Sequence, residues 1–256
     1  MIEARGVGHD YVAQGLAPMA ALVDTDIRVS EGEFLAMVGP SGCGKTTLLN
    51  AIAGLVVPTR GCVTIGARPV EGIRPDVGYM FARDGLLPWR SALDNVAFGL
   101  ELRGVPVAER RERARRYLAL VGLEGFAEHR RAELSQGMRQ RVALARTLAT
   151  EPSVMLMDEP FAALDAQTKV VVQDEFLKIW ERFRRTVVFV THDIVEAVTL
   201  ADRVVVFSGR PGRIIGEFLI DMPRPRSASG SHDAAFERLR VEIWACLQRG
   251  VSQAAP

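Results

Sequence analysis

The chain has 256 residues, 48% of them hydrophobic and 25% charged, enough for one large or two modest units with real cores and too apolar for a disordered chain. Lys and Arg number 32 against 31 Asp and Glu, and the resulting net charge of +1 excludes a general electrostatic pull toward nucleic acid or an anionic membrane. Three cysteines (Cys43, Cys62, Cys246) without metal-ligand spacing suit reduced thiols in a cytosolic compartment, and with no signal-type start and no run of about 18 apolar residues the expectation is a chain neither exported nor membrane-spanning.

In chain order, EFLAMVG (33–39), CVTIG (62–66), VGYMF (77–81), VMLMD (154–158), TVVFVTH (186–192), RVVVFSG (203–209) and RIIGEFLI (213–220) have strand length and β-branched content. Several are apolar throughout, as strands covered on both faces are. KTTLLNAIAGL, VAERRERARRYLALVGL, GMRQRVALARTLAT and DAQTKVVVQDEFLKIWERF, lying between them, have helical patterns, so the alternation predicts an α/β fold. The insert 91–133 carries no strand and reads as a helical subdomain. It divides an α/β core of 1–90 and 134–221. MPRPRSASGS (222–231) reads as a linker, and 232–256 as a short C-terminal helix and tail. Phe236, Leu239, Ile243 and Leu247 have the spacing of a helix face packed on the core or on a twin subunit. The basic run AERRERARR (108–116) alternates in sign and reads as a solvated helix face, not an RNA contact.

GPSGCGKTT (39–47) fits G-x-x-x-x-G-K-[ST] in full, after an apolar strand and before a helix. Gly39, Gly42 and Gly44 let the backbone wrap a phosphate, with Ser41, Cys43 and Thr47 part of the same loop and helix start. Lys45 is expected to neutralise β and γ phosphates and Thr46 to hold Mg²⁺. VMLMDEP (154–160) ends an apolar strand in two carboxylates; beside a P-loop, Asp158 is expected to bind Mg²⁺ through its water shell and Glu159 to polarise an attacking water. The fold expected is therefore a P-loop NTPase core with a mixed sheet, binding nucleotide phosphates and Mg²⁺.

LSQGMRQR (134–141) lies between these motifs and is closely similar to the signature of the ATP-binding cassette (ABC) proteins, the ATPase subunits of ABC transporters. AALD, ending at Asp165, resembles that family's D-loop; His192 in VTHD resembles its switch histidine; Tyr11 is a candidate partner for adenine. The resemblance covers roughly residues 2–220. It implies a homodimer with two ATP molecules sandwiched head to tail, each γ-phosphate meeting Ser135 and the N–H groups around Gly137 of the other subunit, with Asp165 bridging the two and His192 contacting the γ-phosphate. Gln136 stands where the family most often has glycine.

The segment YMFARDGLLPWR (79–90) resembles the family's link to the helical subdomain, where a helix of the permease is received, so Leu86, Leu87 and Trp89 become candidates for a docking surface. The leucines are as readily part of the chain's own core. LLPWR followed by ALDNVAFGLELRGV is similar to importers of nitrate, sulfonate and taurine. The resemblance implies an ATPase on the cytoplasmic face of the membrane, working with integral permease subunits and, indirectly, an extracytoplasmic solute-binding protein, and not with nucleic acid. A soluble ABC-type switch protein and a weakly hydrolysing regulatory cassette are the alternatives. Ala82 bears on the last, because the family ordinarily has glutamine there.

Overall fold

A computed structural model describes residues 1–12, 17–224, 226 and 234–252. In chain order the strands and helices are β1 (Ile2–Tyr11), β2 (Met19–Val29), β3 (Phe34–Val38), α1 (Lys45–Ile52), β4 (Arg60–Ile65), β5 (Arg68–Pro69), β6 (Val77–Met80), α2 (Ala92–Leu102), α3 (Val107–Leu120), α4 (Gln136–Ala149), β7 (Val154–Asp158), α5 (Ala166–Phe183), β8 (Thr186–Thr191), α6 (Ile194–Leu200), β9 (Arg203–Phe207), β10 (Ile214–Leu219) and α7 (Ala234–Ser252). They divide into two compact units, one of Met1–Arg74 with Arg185–Pro256 and one of Pro75–Arg184.

In the first unit β3 is the central strand. It pairs in parallel with β8 (Val38 opposite Thr191) and with β9 (Val38 opposite Val206), and β10 adds antiparallel on β9. All of β3 and β8 is buried, which explains the apolar run of β3 and of Val187 to Val190 in β8: α1 and α6 pack against this sheet. A second sheet in the order β2-β1-β4-β5 is antiparallel. No strand is expected over 2–29 from the sequence, yet β1 and β2 pair from Ile2 opposite Val29 to Tyr11 opposite Met19. Over 24–29 exposed Asp24, Asp26 and Arg28 alternate with buried Thr25, Ile27 and Val29, the period of a half-buried strand.

Two parallel strands, β6 and β7 (Val77 opposite Val154), form the sheet of the second unit, and α4 packs on β6 while α2, α3 and α4 pack on one another. Segment 91–133 contains α2, α3 and two single 3₁₀ turns. Side-chain oxygens start the helices: Ser91 accepts from the Asp94 amide, Ser135 from Met138 and Asp165 from Thr168. The basic run on α3 is neutralised locally, Arg111 pairing with Asp94 at 2.9 Å and Arg113 with Glu151 at 3.2 Å.

Of the expected linker, residues 225 and 227–231 lie outside the described residues, as do His232 and the tail 253–256. Arg224 and Arg226 are anchored: Arg226 is 9% exposed and donates to the carbonyls of Val198, Ala201, Ile220 and Met222. Helix α7 buries Phe236, Ile243 and Cys246, with Leu239 and Leu247 half-buried, against α6, β9 and β10.

Candidate nucleotide site

Strand β3 ends at Val38, and the P-loop leads from it into α1. Gly44 sits at φ 96°, and a Cβ there would lie 2.6 Å from the Ala21 carbonyl, so only glycine fits. Helix α1 has neither a side-chain cap nor an acidic residue in its first turn. Its first amides and the positive end of its dipole are therefore left for an anion. Lys45 is buried and its Nζ donates to the carbonyls of Gly39 and Pro40, both at 2.8 Å, with Cys43 Sγ at 3.4 Å. A buried lysine held by neutral carbonyls beside a bare helix terminus fits a polyphosphate well.

Around this loop, Ser41, Gly42 and Thr46 are exposed, whereas Gly39, Cys43 and Thr47 are buried. Tyr11 is partly exposed and its hydroxyl lies 3.1 Å from Thr47 Oγ1, which brings the N-terminal tyrosine to the start of α1. His192 follows β8 and is exposed. Because Val38 and Thr191 are register partners, the P-loop and His192 leave the C-terminal ends of adjacent parallel strands, where ligands of open α/β sheets bind. One contributor escapes any local motif: a Cβ on Gly212 would lie 1.8 Å from the Cys43 carbonyl, so the chain after β9 supports the P-loop through a position that must be glycine. The Gly212 amide also donates to Ala21 at 2.9 Å.

The second unit gathers the other candidates. Asp158 ends β7 almost fully buried, and burial together with its charge pushes the Tyr79 hydroxyl well above its ordinary pKa. Glu159 follows at φ 47°, a left-handed backbone that glutamate seldom adopts and that turns the chain sharply at the strand end. Gln140 of α4 donates to the Pro160 carbonyl at 2.7 Å and fixes that turn. Asp165 caps α5, and the Thr168 amide and hydroxyl beside it hold its carboxyl below the usual range. Ser135 and Gln136 are exposed at the start of α4, Ser135 accepting from the Met138 amide at 3.2 Å, and the first turn of α4 holds no acidic residue. A Cβ on Gly137 would lie 3.4 Å from Leu164, which joins the start of α4 to the turn after β7.

Ala82, after β6, is exposed. The loop beyond it is gripped by arginines: Asp84 accepts from Arg131 at 3.0 Å and Arg139 at 3.2 Å, and Arg146 donates to the carbonyls of Asp84 and Gly85, both at 2.8 Å. Buried Asn95 holds the next stretch, accepting from the Leu87 amide at 2.8 Å and donating to the carbonyls of Leu87, Arg90 and Ser91. Leu86 is 5% exposed and belongs to the core, Leu87 is half-buried, and Trp89 is 70% exposed. The loop is a fixed platform that turns one tryptophan outward.

Oxygen donors of the kind Mg²⁺ takes are present at Thr46 and Asp158. Among the described residues no group of three or more His, Cys, Asp or Glu is placed to hold a metal ion.

The family model for ABC transporters matches residues 22–162, from β2 to the turn after β7. The chain belongs to the ABC transporter family. It is 55% identical over 206 residues to an uncharacterized ABC transporter ATP-binding protein of Methanocaldococcus jannaschii, covering 80% of this chain and 77% of that protein. The taurine import ATP-binding protein of Pseudomonas putida is 46% identical over 234 residues, covering 90% and 89%. Among solved structures, a dimeric ATP-binding cassette in a post-hydrolysis state bound to ADP and Pi matches with a TM-score of 0.79 and 34% identity, covering 87% of this chain and all of that one. The chain is thus an ATP-binding cassette of a transporter, an ATPase of P-loop α/β fold that works in association with a membrane. Among the described residues no helix is long and apolar enough to cross one.

Proposed function

We propose that the chain is the ATP-hydrolysing subunit of an importer for small organic solutes of the sulfonate type, two copies closing head to tail around two ATP molecules beneath a membrane permease on the cytoplasmic face. The observation that carries this reading is the bare N-terminus of α1 behind the buried, carbonyl-held Lys45. The P-loop amides and Lys45 bind the β and γ phosphates, and Tyr11, at the edge of the loop, is the aromatic candidate for adenine. Thr46 and, through its water shell, Asp158 would hold Mg²⁺, which would neutralise phosphate charge. Glu159 orients a water for attack on the γ-phosphate, releasing Pi and ADP, while His192 contacts the γ-phosphate.

The amides at the start of α4, with Ser135, Gln136 and Gly137, receive the γ-phosphate bound to the other copy, and Asp165 bridges the two copies. The likeness to a dimeric cassette holding ADP and Pi and to taurine import proteins supports this assembly and solute class. A solute-binding protein outside the membrane completes the importer. Exposed Ala82 favours a second reading in part: with a methyl where the family has glutamine, hydrolysis is slack, and coupling runs through the surface at Trp89. Co-expression with the permease tests the transport reading. Trp89→Ala is expected to weaken co-purification of the permease by about thirtyfold in affinity while leaving basal hydrolysis intact. Undiminished co-purification contradicts the docking role.

A further inference from the structure

Helix α6 has only seven residues, too short to hold itself, and it begins two positions after His192. At its start Asp193 Oδ1 accepts from the amides of Val195 and Glu196 at 2.9 and 3.2 Å, and the Asp193 amide donates to Thr191 Oγ1 at 3.0 Å. The Thr191 hydroxyl in turn donates to the buried Glu196 carboxylate. The segment bearing His192 and the first turn of α6 is one hydrogen-bonded piece.

Both ends of α6 meet the chain beyond β10. Arg226 Nη1 donates to the carbonyls of Val198 and Ala201, while Nε and Nη2 reach Met222 and Nη2 reaches Ile220. Arg224 donates to the Leu200 carbonyl and to Asp202 Oδ1, both at 2.6 Å. Two guanidinium groups thus satisfy the last carbonyls of α6 and lie at the negative end of its dipole. At the other end, Arg240 and Trp244 of α7 line a cavity of about 330 Å³ together with His192, Asp193, Ile194 and Val195. Asp202 carries the grip further: its Oδ2 accepts from the Phe34 amide at 2.9 Å, at the start of the strand that leads to the P-loop.

We propose that the segment after β10 braces the switch histidine, with Arg224 and Arg226 fixing the C-terminal end of α6 and Arg240 and Trp244 closing its N-terminal end as positioning residues for His192. The proposal rests on the role given to His192 above. Among the described residues, Arg226, Arg240 and Trp244 make no hydrogen bond to the P-loop, so loosening the brace at these residues is expected to lower kcat and leave KM unchanged.

The test compares Trp244→Ala, Arg226→Gln, His192→Ala and the double variant Trp244→Ala/His192→Ala in steady-state hydrolysis, with Tm measured alongside. Trp244 is 54% exposed, so its variant is expected to fold with an unchanged Tm and to lose about three- to tenfold in kcat at constant KM. No further loss is expected once His192 is alanine. Full kcat in Trp244→Ala with an inactive His192→Ala overturns the brace alone, whereas an active His192→Ala overturns the reading of His192 itself. The chain has four histidines, so its imidazole NMR signals are separable, and this measurement stands even where residual rates are too low to compare. Trp244→Ala and Arg226→Gln are both expected to shift or broaden the His192 signal. A His192 signal unmoved in both contradicts the proposal.

Discussion

Helices α1 and α4 both begin without an acidic residue in the first turn, but they are furnished differently. The start of α1 has no side-chain cap and a buried lysine whose charge is held in place by two carbonyls. The start of α4 is capped by Ser135 and exposed, and its first-turn cation, Arg139, is turned to Asp84. The first has the amides, the dipole and a counter-charge, all that the proposed function asks of a phosphate site. The second has amides and dipole only, which under the proposed function suits it to add to a phosphate already bound elsewhere. In the proposed head-to-tail dimer one terminus binds and the other responds, and this difference in furnishing is the asymmetry such a dimer needs.

The most disruptive change to this comparison removes the counter-charge of α1. Lys45→Ala loses charge-assisted hydrogen bonds of about 2–3 kcal/mol, so ATP affinity is expected to fall by about a hundredfold, read by titration calorimetry. Near-normal affinity would make the two termini equivalent.

Asp84→Asn acts on the α4 side. Burial raises the Asp84 carboxyl, but bonds from Arg131, the Leu86 amide and Arg139 outweigh it and hold the group below its ordinary 3.8. Because the native pKa is depressed, the stability it contributes is complete above pH 3.8 and is lost as pH falls through the lower native value. The variant is expected to be about 1–2 kcal/mol less stable at pH 7, with the Tm gap to wild type closing below about pH 4. A gap independent of pH would mean that the charge on Asp84 is not what holds the loop.

A smaller effect concerns Ala82. Ala82→Gln returns an amide oxygen to the loop and is expected to raise Mg²⁺ affinity or turnover a few-fold, about 1 kcal/mol. Identical Mg²⁺ dependences in the two forms would remove this position from the metal.

How much of this was legible in the sequence follows from how local each device is. The loop between β3 and α1 was readable because Gly39, Gly44, Lys45 and Thr46 are close neighbours in sequence that mark a strand end and a helix start. The start of α4 was readable for the same reason, since Ser135 caps the helix it precedes. Strands β1 and β2 were missed because Gly6 and Gly8 interrupt one pattern, while in the other the apolar positions alternate with Asp24, Asp26 and Arg28, which read as loop chemistry. Gly212 was invisible because its partner, the Cys43 carbonyl, is remote in sequence. The grip of Arg131, Arg139 and Arg146 on 84–85, and of Arg224 and Arg226 on α6, is likewise made of long-range side chain to carbonyl and carboxylate bonds that carry no spacing signature. The same arginines, read in sequence, are only basic residues near a loop or a linker.

The central claim, that α4 completes a site begun on another copy, is tested most directly by the mass of the Glu159→Gln protein in solution with Mg²⁺ and ATP. Light scattering is expected to give a dimer with ATP and a monomer without it, because binding persists when the water-orienting carboxylate is gone. Adding Gly137→Asp, which places a negative charge at the start of α4, is expected to return the ATP-loaded protein to a monomer with its nucleotide still bound. A Glu159→Gln protein that binds ATP and stays monomeric, or a dimer indifferent to Gly137→Asp, would contradict the account.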